Sequence, residues 1–163
     1  MTGLKVLAVA AANRRVGYAY FENADLVYWT ISNKAGGKPL DAVAVTQDLV
    51  TRFAPNVLVS QKVTPSLTKS KNTKKIIAAI ARTGKHNGLI SIAVERPRKH
   101  KNKYEEAEAL AQSFPQVIDC LPQPRQLHHN KEPRNTVLFE AIALATALFE
   151  DTDQNLLIAQ AMG

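Results

Sequence analysis

The sequence predicts an α/β fold: a five-stranded mixed sheet whose first three strands form an antiparallel meander, with helices on both faces. Three observations carry this expectation. Residues 4–31 hold three runs of β-forming residues separated by short polar turns. An amphipathic helical pattern then leads into a short apolar run after Pro55, as in a crossover between parallel strands. Beyond it, helical patterns flank one further apolar run and end in a long apolar helix.

In the first run Leu4, Val6, Ala8 and Ala10 alternate with Lys5, Leu7, Val9 and Ala11, so the strand is apolar on both faces and belongs at the sheet centre. A turn at Asn13-Arg14 leads to a second strand, Val16 to Phe21, rich in aromatic β-formers. The turn residues Glu22 to Asp25 precede a third, Leu26 to Ile31. Ser32 to Gly37 is loop, and Pro39 suits the first turn of a helix, where its missing N–H costs nothing. Leu40, Val43, Ala44, Val50 and Phe53 recur at roughly helical spacing, with Asp41, Gln47, Asp48 and Arg52 on the wet face. Asn56 to Ser60 then reads as a buried strand parallel to the first.

A polar loop from Lys62 to Asn72 feeds a basic amphipathic helix, Thr73 to Arg82, buried through Ile76, Ile77 and Ile80, with Gly84 or Gly88 just past its end. Leu89 to Val94 is the fifth strand, and Arg96 to Lys101 a dense basic loop. Asn102 caps a helix whose early Glu105, Glu106 and Glu108 suit the helix dipole and whose buried stripe is Tyr104, Ala107, Leu110, Ala111 and Phe114. Val117 to Leu121 reads as a short sixth strand or an extended connection, kept short by Pro122 and Pro124. After a polar loop, Gln126 to Arg134, Pro133 opens a long helix from Arg134 to Glu150 with Val137, Leu138, Ala141, Leu144, Ala145 and Leu148 as its stripe. Residues 1–150 are expected to form one domain. Residues 151–163 form a short tail, docked on the body or on a second copy of the chain, so a homodimer is one expected assembly.

With 163 residues the chain can bury about two thirds of its unfolded surface without a metal or disulfide. The single cysteine, Cys120, excludes an internal disulfide framework and reads as structural. No basic-then-apolar leader and no long apolar run is present, so a soluble, cytoplasmic protein without membrane contact is expected. The net charge of +7 is unevenly placed: between Lys62 and Lys103 nine Lys and three Arg face one acid, Glu95, a net +11 that leaves −4 on the remainder. A basic middle on an acidic body points to a polyanion partner, nucleic acid foremost. The expected contacts are Lys69, Lys71, Lys74, Lys75, Arg82, Arg98, Lys99 and Lys101.

A strand ending at Ala10-Ala11-Ala12, a short basic turn, then Val16-Gly17-Tyr18 opening a second strand resembles the start of RuvC-type Holliday-junction resolvases and their YqgF-like relatives in the ribonuclease H-like superfamily. The resemblance implies a ribonuclease H-like fold and runs from residue 4 to about residue 149, through order of elements more than through identities. In the family the first strand ends in Asp-Pro-Gly, whose Asp ligates metal; those positions are held here by Ala10, Ala11 and Ala12. A strand introduced by Pro ends in a ligating Glu, and Pro55 to Ser60 places Gln61 there. A last helix carries an Asp in an Asp-Ala-Leu-Ala-like run, which Glu140 matches within Phe139 to Ala145; a second acid one turn earlier falls on Val137. The resemblance therefore implies a scaffold with one of four expected acids.

Two-metal phosphodiester cleavage needs clustered carboxylates, because Mg²⁺ is a hard cation that takes anionic oxygens. Ala10 offers none, Gln61 a neutral one, and Glu140 alone would hold a hydrated ion weakly, so no metal is expected. Glu95, at the end of the fifth strand, is the best-placed substitute acid. His128 and His129 are adjacent and cannot both point at one site from a regular element. There is no phosphate-binding Gly loop, since Gly36-Gly37-Lys38 lacks the upstream strand and glycine, no nucleophile elbow and no paired thiols. The leading expectation is a catalytically degenerate RuvC-like domain that binds DNA or RNA. The alternatives are an active Mg²⁺- or Mn²⁺-dependent endonuclease with displaced ligands, and an oligomeric scaffold or partner-binding protein.

Overall fold

Residues 3–122 and 133–162 are described in the computed structural model of the chain. Three strands come first, β1 (Lys5–Ala12), β2 (Arg15–Glu22) and β3 (Asp25–Ser32). They are followed by α1 (Pro39–Phe53), β4 (Val57–Gln61), α2 (Lys71–His86), β5 (Ile90–Val94), α3 (Lys103–Ser113), a 3-10 helix (Pro115–Cys120), α4 (Thr136–Glu150) and α5 (Thr152–Met162). The sheet order is β3-β2-β1-β4-β5, with β1, β2 and β3 antiparallel and β4 and β5 parallel to β1. The fold expectation is met: β1 is the central strand, and every residue from Val6 to Ala12 is buried. No helix among the described residues is long and apolar enough to cross a membrane.

The meander is closed by two-residue turns. In the second, Asn23 and Ala24 both take left-handed backbone, φ 53° and 67°, the geometry whose twist matches that of the flanking strands. Side chains then sort by parity. Val6, Ala8, Ala10 and Ala12 of β1 join Ala19, Phe21, Val57 and Val59 in a core under α3, α4 and the 3-10 helix. Leu7, Val9 and Ala11 join Val16, Tyr18, Tyr20 and Leu58 in the opposite core, under α1 and α2. On the α4 side the contact is unusually close at Gly17, where a Cβ would stand 2.6 Å from the carbonyl oxygen of Val137. Gly17 is the register partner of Ala10, so two small residues side by side admit the first turn of α4 directly onto the sheet.

Several local expectations are corrected. The buried stripe of α1 is Ala42, Thr46, Leu49 and Val50, while Leu40 is 73% exposed. Thr46 can turn inward because its hydroxyl meets the Tyr18 hydroxyl at 2.9 Å, which removes the cost of burying either group. Helix α2 starts earlier than predicted because Ser70 caps it, accepting from the Thr73 N–H, and it runs through Gly84 to His86. Residues 117–120 are neither strand nor extended link. Pro115 opens a 3-10 helix that buries Val117, and Gln116 donates from Nε2 to the Leu26 carbonyl at 2.9 Å. Helix α4 begins at Thr136, two residues after the predicted start. The tail is a full helix, α5, anchored by buried Ile158 with Leu156 and Leu157 exposed. His128, His129 and most of the predicted loop from 126 to 134 lie outside the described residues.

Candidate functional site

Chain direction places the site. Strands β1, β4 and β5 are parallel, so their C-terminal ends share one edge, and the loops from β4 to α2 and from β5 to α3 both leave from it. Val6, Leu7 and Ala8 pair with Val57, Leu58 and Val59, and the same step carried on brings Gln61 level with Ala10. Gln61 and Glu140 line one cleft of about 500 Å³ at that edge. Ala10 is 1% exposed beneath α4, in the same core as Val137 and Ala141. The three positions singled out by the resemblance are thus neighbours.

What surrounds Glu140 decides the chemistry. This carboxylate is buried, and the ammonium of Lys69, carried by the β4–α2 loop, donates to its Oε1 at 2.6 Å. The same ammonium donates to the Ala11 carbonyl at the end of β1 at 2.5 Å. Arg96, from the β5–α3 loop, stands 3.4 Å from the same carboxylate oxygen and makes a closer ion pair with buried Glu106 on α3. Asn102 fixes the start of that helix by accepting from the backbone N–H groups of Tyr104 and Glu105. Two loops and two helices are thereby tied together by four alternating charges. Partly buried pairs of this kind are strong only while every member is present.

The cleft is basic. Lys62, Lys69, Arg96, Arg98 and Lys103 line it against Glu95, Glu106 and Glu140, and His100 joins them. The donor set does not suit a divalent cation: Ala10 has no oxygen, Gln61 is neutral, and Glu140 is held by Lys69 and Arg96. Among the described residues no group of three or more His, Cys, Asp or Glu could hold a metal ion. One observation remains unbalanced. The Gln61 side-chain oxygen is buried without a hydrogen-bond partner, although the residue lines the cleft.

Of the eight cations singled out in the sequence, Lys69 and Arg98 line this cleft. Lys71, Lys74 and Lys75 occupy the first turns of α2, which springs from the same edge. Arg82 lies eleven residues beyond Lys71, about 16 Å along the helix axis. Lys99 turns toward α4 and pairs with Glu150 at 2.5 Å in an exposed contact, and Lys101 is exposed on the loop. Sequence reasoning missed Lys62, Arg96 and Lys103 as lining residues, and Glu106 as a buried partner. Glu106 could have been found, since it stands four residues before Leu110, on the apolar stripe rather than the wet face.

No protein-family model and no curated protein sequence matches the chain. Solved structures do. RuvC of Thermus thermophilus, in complex with a Holliday junction substrate, aligns over 98% of this chain and 96% of its own, with a TM-score of 0.58 and 14% identity. The fowlpox virus Holliday junction resolvase aligns over 90% of this chain and 99% of its own, with a TM-score of 0.56 and 18% identity. Its complex with substrate Holliday junction DNA aligns over 86% and 99%, with a TM-score of 0.53 at 18% identity. Together with the strand order and the placement of α4 on the central strands, these alignments establish that the chain has the RuvC-like form of the ribonuclease H-like fold.

Proposed function

We propose that this chain binds nucleic acid at the basic edge of its sheet and does not cut it. The observation that carries the reading is the state of Glu140: the one carboxylate at the inherited positions is neutralised by Lys69 and Arg96, while further cations line the cleft around it. Such a surface attracts phosphates and supplies no anionic cradle for the paired ions of a nuclease. That two of the structural neighbours were solved with junction DNA supports a branched DNA as the first ligand to try, by analogy of fold. Lys71, Lys74 and Lys75 extend the surface from the cleft onto α2.

The test is fluorescence anisotropy with labelled four-way junction, duplex, single-stranded DNA and RNA across a salt series. If about five phosphates are engaged, log affinity should fall with log salt at a slope of roughly −4 to −5. Reversing Lys74 and Lys75 to Glu should weaken every ligand alike, because phosphate contacts position a nucleic acid without reading its bases. No binding to any of the four at low salt would defeat the reading. It would favour the scaffold alternative, in which a second copy covers Leu156 and Leu157 of α5, a state visible by sedimentation. Incubation with Mg²⁺ or Mn²⁺ should leave the junction intact. Cleavage lost on Glu95→Gln would instead establish a nuclease with a displaced ligand.

A further inference from the structure

We propose that Lys69 is a tethered counter-ion, standing where a divalent cation would otherwise have to stand, so that a phosphodiester is held in this cleft without a metal. The part concerning nucleic acid rests on the function proposed above; the part concerning Lys69 does not.

Two oxygen atoms from two elements meet at Lys69 Nζ, and the side-chain oxygen of Gln61 belongs to the same edge of the sheet. Glu140 Oε1 comes from α4, the Ala11 carbonyl from the end of β1, and Gln61 Oε1 from the end of β4. Of these the buried carboxylate calls for a positive partner, and one cation can also donate to a neutral acceptor beside it. The chain supplies that partner itself. Lys69 Nζ takes Glu140 Oε1 at 2.6 Å and the Ala11 carbonyl at 2.5 Å, and Arg96 adds a second charge at 3.4 Å from the same carboxylate oxygen. Gln61 Oε1, buried and without a partner, is the oxygen this arrangement leaves over.

The charges of Lys69 and Arg96 balance those of Glu140 and Glu106, so the centre is neutral before a ligand arrives. An ammonium has three N–H donors and two are engaged here, which leaves the third for a ligand oxygen. The Lys69 side chain is 16% exposed and lines the cleft, so that donor can be reached from solvent. A covalently attached cation also differs from a bound one in a way that can be measured: a chelator cannot remove it. Removing it by mutation, in contrast, should leave Glu140, the Ala11 carbonyl and Gln61 open to a metal ion.

The experiment compares the full chain with Lys69→Met and with the double variant Lys69→Met, Gln61→Glu, which adds a second carboxylate. Mn²⁺ is the probe, read by thermal unfolding, and the labelled four-way junction is read in EDTA and in Mg²⁺ at matched ionic strength. For the unaltered chain, junction affinity should change less than about threefold between EDTA and Mg²⁺, and Mn²⁺ should not raise Tm. For the double variant, Mn²⁺ should raise Tm by several degrees and restore about tenfold of the junction affinity lost with the lysine. A merely structural lysine would show no such rescue. Loss of junction binding by the unaltered chain in EDTA would overturn the proposal, as would a Tm rise with Mn²⁺ equal to that of the double variant. So would a folded double variant indifferent to Mn²⁺. If the double variant fails to fold, Lys69→Met decides through the junction: a loss of about tenfold or more in affinity supports the proposal, and an affinity within about threefold of the unaltered chain overturns it. If the unaltered chain binds no nucleic acid, the function proposed above fails, and the Mn²⁺ measurements still decide the role of Lys69.

Discussion

Replacing Glu140 by Gln should lower stability and raise affinity for nucleic acid, two effects of opposite sign from one lost charge. The substitution keeps the volume and a carbonyl acceptor for Lys69, and it removes the charge that holds Lys69 and Arg96. Breaking a fully buried pair costs about 3–5 kcal/mol. Here the side chains of Lys69 and Arg96 are 16% and 28% exposed, Arg96 keeps Glu106, and Gln still accepts a hydrogen bond, so a loss of about 1–2 kcal/mol is expected. For a chain of this size that lowers Tm by roughly 2–8 °C. On the binding side the cleft gains one net positive charge. With that charge no longer balanced by Glu140 when a phosphate meets Lys69, the salt slope should steepen by about 0.9 and low-salt affinity should rise several-fold. Urea unfolding can be followed through Trp29, the only tryptophan, half-buried on β3. Junction anisotropy across salt supplies the second measurement. A fall in affinity together with stability would refute the reasoning, because it would mean that the carboxylate itself serves the ligand.

Gly17→Ala should destabilise by about 1–3 kcal/mol, since its Cβ would meet the Val137 carbonyl at 2.6 Å and α4 would have to lift; chemical denaturation measures it. Because Glu140 rides on α4, the same variant should also alter junction affinity, which an overpacked site remote from the cleft would not do. Burial pushes the Tyr18 phenol up to about 12, opposed in part by its hydrogen bond to Thr46. The folded state therefore holds that proton more tightly than the unfolded chain does. Stability should be intact below pH 10 and fall as pH rises toward 12, by about 2–3 kcal/mol from this group. Tyr18→Phe should flatten the alkaline fall in part, because Tyr20 is also raised, by burial and by Glu22, and should cost about 1 kcal/mol at neutral pH through the lost bond to Thr46.

The sheet was legible because its signals are local. Alternation in Leu4 to Ala11, turn residues at 13–14 and 22–25, and Pro55 before a β-branched run each depend on a few adjacent residues, and the structure follows them. The stripe of α1 was misread because Thr46 counts as polar until Tyr18, 28 residues away, supplies its partner. The 3-10 helix was misread because Val117 to Leu121 is apolar enough for a strand, while Pro115, two residues before that run, opens a helical turn instead. At the site, the positions of Ala10, Gln61 and Glu140 could be counted along the sequence. The pairing of Glu140 with Lys69 could not, since 71 residues separate them and nothing in either neighbourhood announces the other.

The close seating of α4 over Ala10 and Gly17 makes an acid at residue 10 hard to accommodate. A lone Ala10→Asp change would introduce a carboxylate into a slot that is 1% exposed, beneath the helix backbone, with the nearby ammonium already committed to Glu140. Its cost would fall at once, before any metal could compensate it. Space would have to come first, from changes at the contact of Gly17 with Val137 that carry no chemistry of their own. The order of changes is therefore fixed by packing: room at the contact of α4 with the sheet must precede any charge placed beneath it.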